Sequence, residues 1–143
     1  MRKKIVFVTI TLFILSSCKK YPDGPSISLT SKTERLSNSW KIAQALENDL
    51  DKTSDYQFAF TDYNLIIEED GDYSFSYKAL GILPVSETGK WSFNDDKTKV
   101  IFDPSSNNNT NNEWKILKLM EEEVWLIDEE NNGNTLELHL IPN

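Results

Sequence analysis

Cys18 has the clearest chemistry in this chain, because it is the only cysteine and follows a segment built like a bacterial export signal. The segment has a positive start, Arg2-Lys3-Lys4, an apolar stretch over residues 5–15, and Leu15-Ser16-Ser17-Cys18, which has the form of a lipobox. A lipobox is cleaved before its cysteine, and the cysteine is acylated. We therefore predict a signal peptide over residues 1–17 and a lipidated amino terminus at Cys18.

Two other interpretations of this segment are weaker. The segment is too short to form a membrane-spanning helix, because residues 5–15 at ~1.5 Å per residue cover about half of a ~30 Å hydrocarbon core. A secretory signal without lipidation fits the pattern, but it leaves a lone thiol in an oxidising compartment. Acyl chains on Cys18 predict permanent membrane attachment. Lys19 and Lys20 favour the bacterial outer membrane, with the domain facing the periplasm or the cell surface.

Catalytic chemistry has little support in the other residues. His139 is the only histidine, so with Cys18 acylated the chain has no histidine pair for zinc and no Cys–His nucleophile. The spacing Asp49-x-Asp51-x-Thr53-x-Asp55 resembles the start of a calcium loop. However, Ser54 stands where a calcium loop needs glycine, and Phe60 where it needs glutamate. We predict no enzyme activity, no cofactor and no metal site.

The charge of the chain excludes one class of partner. The formal charge of −8 becomes −11 when the three positive residues of the signal peptide are removed. An acidic body of this kind repels polynucleotides. We therefore predict no nucleic-acid partner.

The elements that must position any binding residues are mostly strands. Ser31 and Glu34 have capping-box spacing, which predicts a short helix over residues 32–37. Apolar residues over 36–50 fit either a helix or a strand. Alternating apolar and polar residues then predict strands, with a hairpin at Asp70-Gly71. The predicted strands are 40–47, 64–69, 72–79, 89–94, 99–103, 112–120, 124–128 and 134–141.

Eight strands joined mostly by short turns favour one all-β domain over residues 32–143, preceded by a lipidated tether over residues 18–31. We predict an eight-stranded antiparallel up-and-down barrel, because closure leaves no exposed sheet edge. An open sandwich is the second possibility.

Several short motifs resemble a known family. The start of the mature chain and two later strands are similar to lipocalin-like lipoproteins of the Bacteroidetes. The motifs are Tyr21-Pro22-Asp23-Gly24-Pro25, Ile27-Ser28-Leu29, Arg35-Leu36, Trp40-Lys41-Ile42, Gly89-Lys90-Trp91-Ser92-Phe93 and Trp114-Lys115-Ile116. The resemblance implies a lipocalin-like barrel in a cell-envelope setting.

The aromatic residues of the strands allow two functions. In the first, they surround a small apolar ligand inside the barrel. In the second, they fill the interior, and an outward Trp125 contacts another envelope protein. Val124 and its neighbours are apolar on both faces, so the sequence leaves the direction of Trp125 open. The candidate ligand-binding residues are Phe75, Tyr77, Trp91, Phe93, Trp114 and Trp125.

Overall fold

The computed structural model describes residues 21–22, 28–106, 112–130 and 132–143. Cys18 and the signal peptide lie outside these residues, so the lipidation, the tether and the localisation stay predictions. Within the described residues, no helix is both long and apolar enough to cross a membrane.

The described chain forms one antiparallel sheet that closes on itself. Each strand from β3 to β8 pairs with the strand that follows it, β1 pairs with β3, and β9 pairs with β1. The strands are β1 (Ser39–Glu47), β2 (Leu50–Asp51), β3 (Phe60–Ile67), β4 (Asp72–Ala79), β5 (Leu83–Phe93), β6 (Lys99–Pro104), β7 (Asn112–Leu119), β8 (Val124–Glu129) and β9 (Thr135–Pro142). The eight long strands form a closed barrel, which confirms the predicted fold class. Among the described strands, the short β2 pairs with the end of β1 alone.

A short helix, α1 (Lys32–Leu36), covers one end of the barrel, here called the α1 end. The helix begins with the predicted capping box, in which Ser31 and Glu34 exchange hydrogen bonds of 3.1 and 2.7 Å. Arg35 is buried and donates from Nη1 to the Leu119 carbonyl at 2.9 Å. Buried Trp40 donates from Nε1 to the carbonyl that ends the helix, at 2.8 Å. These contacts close the α1 end with a packed core.

The opposite end, here called the α2 end, has a second helix that was not predicted. Strands β1 and β3 pair only near Trp40, and the chain between them forms β2 and α2 (Thr53–Ala59). Thr53 starts the helix with its N–H donated to the Asp51 carboxylate at 2.9 Å. Residues 36–50, whose apolar pattern fits either a helix or a strand, mostly form the strand β1, and α2 lies beyond them. The helix bridges the place where β1 separates from β3.

Candidate functional site

Two adjoining chambers lie inside the barrel. The larger, here called the polar chamber, has a volume of about 290 Å³ and includes Tyr73, Glu87, Asn112 and Asp128 in its wall. The smaller, here called the aromatic chamber, has a volume of about 220 Å³. Its wall consists of Ile42, Tyr56, Phe60, Tyr63, Phe75, Tyr77, Trp114, Leu136 and Leu138. The chambers are adjacent because they share Tyr63, Phe75, Trp114 and Leu138.

Three of the predicted ligand-binding residues lie in these walls. Phe75 and Trp114 line both chambers, and Tyr77 lines the aromatic chamber. The Phe75 ring stacks with those of Tyr63 and Tyr77, at centroid distances of 6.5 and 6.1 Å. The wall that these rings form along β3 and β4 offers flat apolar surfaces to a ligand.

Trp91 and Phe93 belong to the core near the α1 end and line neither chamber. Trp91 is buried and donates from Nε1 to the Glu68 carbonyl at 2.7 Å. The Phe93 ring packs edge-on against it at 5.3 Å. Alternation along β5 places both rings on the inner face, but at a depth where the barrel is filled.

Trp125 points out of the barrel, because Val124 and Leu126 on either side of it are buried. Its ring stacks on that of His139 from β9 at 4.0 Å, and Lys118 Nζ from β7 lies 4.5 Å from the ring centroid. The indole N–H donates to the Glu123 carboxylate at 2.7 Å. Trp125 is thus part of a polar cluster on the outer face and does not join the other predicted aromatic residues.

A bulge in β3 turns two unpredicted aromatic residues into the aromatic chamber. The register between β3 and β4 shifts between Thr61 and Asn64, and Asp62 has a positive φ of 56°. In a regular strand, Phe60 and Tyr63 would point to opposite faces, because they are three residues apart. The extra residue of the bulge reverses the alternation, so both side chains line the chamber. The sequence signal that could have revealed this is weak, because β3 has no glycine at the bulge.

The hydroxyl of Tyr63 is available to a ligand. Within the described part of the chain, this hydroxyl has no hydrogen-bond partner. Burial raises the pKa of Tyr63 well above its usual value, so the phenol stays neutral at ordinary pH. It can therefore donate or accept one hydrogen bond with a bound molecule.

A pair of hydrogen-bonded groups gives the polar chamber its second polar feature. The Tyr73 hydroxyl donates to Glu87 Oε1 at 2.7 Å. Burial, and then this hydrogen bond, raise the pKa of Tyr73 well above its usual value. Glu87 was not predicted as a site residue because β5 begins at Leu83, whereas the predicted strand begins at Gly89. Pro84 interrupts the pattern that marks a strand.

Helix α2 covers the aromatic chamber through one side chain. Tyr56 stacks on Phe60 at 5.5 Å and donates from its hydroxyl to Glu47 Oε1 at 2.8 Å. Burial, and then the hydrogen bond with Glu47, raise the pKa of Tyr56 to about 12. The helix is thus fixed to the end of β1, and it places an aromatic wall over the gap between β1 and β3.

Comparisons with known proteins support the fold. Neither the protein-family models nor the curated proteins match this chain. A solved lipocalin-like protein from Bacteroides uniformis ATCC 8492 has a TM-score of 0.56 and 12% sequence identity, over 76% of this chain and 99% of that chain. The chain has a lipocalin-like fold. An uncharacterized protein from Bacteroides eggerthii DSM 20697 has a TM-score of 0.50 and 8% identity, over 73% of this chain and 98% of that chain. The predicted resemblance to lipocalin-like proteins is therefore confirmed for the fold.

Proposed function

We propose that this protein is a lipid-anchored lipoprotein of the bacterial cell envelope whose lipocalin-like barrel binds one small amphipathic molecule. The observation that carries this proposal is the pair of adjoining chambers, of about 290 and 220 Å³, inside the barrel. Ligand sites are typically concave and mostly apolar, with a few placed polar groups. Aromatic rings and a few oxygen-bearing side chains supply this combination here. The proposed activity is binding without catalysis.

The alternative function is an interaction protein with a filled barrel and an outward tryptophan. Trp125 does point outward, but His139 and Lys118 lie against its ring. A covered indole offers less apolar area to a partner than a free one. The alternative function also requires a filled interior, whereas the barrel contains two chambers. Ligand binding is therefore the function that these contacts favour.

The start of the mature chain sets the position of the barrel at the membrane in this proposal. Tyr21 is buried against the α1 end, where its hydroxyl donates to the Lys97 carbonyl at 2.8 Å. Cys18 lies three positions earlier, a span of about 10 Å at most. An acylated Cys18 would therefore hold the α1 end close to the bilayer and leave the α2 end, beside the aromatic chamber, facing away.

The binding function can be tested on a chain of residues 19–143, which contains every described element. We expect decanol, titrated below its solubility limit, to bind with one molecule per barrel in calorimetry and to change the tryptophan emission. Trp114→Phe removes the chamber tryptophan and should abolish most of the emission change. Trp125→Phe is the matched control on the outer face and should retain it. A flat calorimetric titration with decanol, decanoate and decylamine would refute the proposed function.

A further inference from the structure

The charged side chains that the described residues contribute to the chamber walls are all acidic. Glu87 on β5 and Asp128 on β8 both line the polar chamber, together with the Asn112 amide. Among the described residues, no lysine, arginine or histidine lines either chamber. The described chamber walls therefore carry negative charge without a balancing positive side chain.

These oxygens retain hydrogen-bonding capacity. Glu87 Oε1 accepts the Tyr73 hydroxyl at 2.7 Å, and its other oxygen has no partner in the described ranges. The Asp128 carboxylate likewise has neither a hydrogen bond nor an ion pair with any described residue. Both residues are half-buried in the wall, so these oxygens can be reached from the chamber. The polar chamber thus presents acceptors that a donor-rich head group would satisfy.

We propose that the barrel selects amphiphiles with a cationic head group, such as a primary alkylammonium, over fatty acids; this inference rests on the proposed binding function. An ammonium carries a positive charge and three donors with no acceptor, which matches two carboxylates and a free phenol. A fatty-acid carboxylate would instead bring a third negative charge beside Glu87 and Asp128, with no cation to balance it.

The two chambers suit the two parts of such a molecule. None of the described residues in the wall of the aromatic chamber is charged, so this chamber suits an alkyl tail. Phe75 and Trp114 lie on the boundary between the chambers, where their ring faces can also contact an ammonium. The head group would lie between Glu87 and Asp128, and the tail would extend past these rings toward α2.

The test compares three ligands with the same chain length and different heads: decylamine, decanol and decanoate. Each is titrated below its critical micelle concentration into residues 19–143, and the affinity is measured by calorimetry. We expect decylamine to bind at least about tenfold more tightly than decanoate, and more tightly than decanol. The double variant Glu87→Gln with Asp128→Asn should lose about tenfold in affinity for decylamine and change little for decanol.

A matched control separates this site from general attraction to an acidic protein. Glu122→Gln with Asp95→Asn removes the same charges at two exposed positions and should leave decylamine affinity unchanged. Decanoate or decanol binding as tightly as decylamine would overturn the cationic preference and leave the binding function standing. An equal loss in the control and chamber variants would overturn it as well. Failure of all three ligands to bind would overturn the binding function and this inference together.

Discussion

Gly89 is the position where adding one carbon should do the most damage. It lies on β5 between Tyr73 on β4 and Pro104 on β6, and it is buried. A Cβ at this position would lie 2.2 Å from the Asp103 carbonyl oxygen and 2.7 Å from Tyr73 Cε1. Both distances are far below van der Waals contact. Gly89→Ala therefore forces a movement of the β5–β6 backbone and of the Tyr73 ring.

The expected loss in unfolding free energy depends on which atoms must move. Overpacking a core by a methyl group typically costs about 1–3 kcal/mol, and more when backbone is displaced. The oxygen at 2.2 Å belongs to the Asp103 main chain, so a side-chain rotation cannot relieve this contact. We expect a loss of at least about 3 kcal/mol in the free energy of unfolding, which corresponds to roughly 10 °C or more in Tm for a domain of this size.

The assay is chemical denaturation, monitored by circular dichroism and tryptophan emission. Thermal unfolding of the same variants gives the change in Tm. Thr88→Ala is the control, because this neighbour lies on the exposed face of the same strand and should change stability by less than about 0.5 kcal/mol. Tyr73→Leu in the Gly89→Ala background tests the cause. It removes the ring contact but should not restore stability, since the Asp103 contact remains. A Gly89→Ala loss below about 1 kcal/mol, or full rescue by Tyr73→Leu, would refute the reasoning.

Three further predictions concern the α1 end and the outer face. Trp40→Phe removes the hydrogen bond to the Leu36 carbonyl and part of a fully buried ring, and should lower the unfolding free energy in urea by about 2–3 kcal/mol. Ser31→Ala should cost about 1 kcal/mol by the same assay, whereas Glu34→Gln, which keeps a capping-box side chain, should cost less. Hydrogen bonds from a lysine and an indole lower the pKa of Glu123. The ionised Glu123 carboxylate should therefore stabilise the fold at about pH 6, and this stabilisation should be lost as the pH falls below about 4. The difference in unfolding free energy between wild type and Glu123→Gln should shrink over that range. A difference that stays constant would contradict this assignment.

Local sequence information was sufficient for most of the barrel. Strand β4 has the predicted bounds, and the preceding turn forms at Gly71 with a φ of +93°. Alternation of apolar and polar residues depends only on neighbouring residues and on the need to bury one face. The capping box before α1 is equally local, because its two partners are three residues apart.

Three elements depended on distant contacts. Helix α2 lies where β1 leaves β3, and Tyr56 fixes it there by packing on Phe60. The first residues of β5 join the sheet by pairing with β4, despite Pro84. The bulge in β3 is defined only relative to the register of β4. Each feature depends on a partner strand or helix, which a local pattern does not specify.

The sequence by itself determined the acidic charge and the inner face of β4 and of the second half of β5, and it favoured the order of the eight long strands and their closure into a barrel, because these follow from periodicity and composition. It also marked Cys18 as the predicted anchor. Only the tertiary structure decided which inward rings surround space and which fill it. Phe75 and Trp91 both lie on inner faces, yet the first lines the chambers and the second packs at the α1 end. The physical reason is that a cavity depends on how side chains from opposite walls meet, and this distance between walls appears only when β9 closes onto β1.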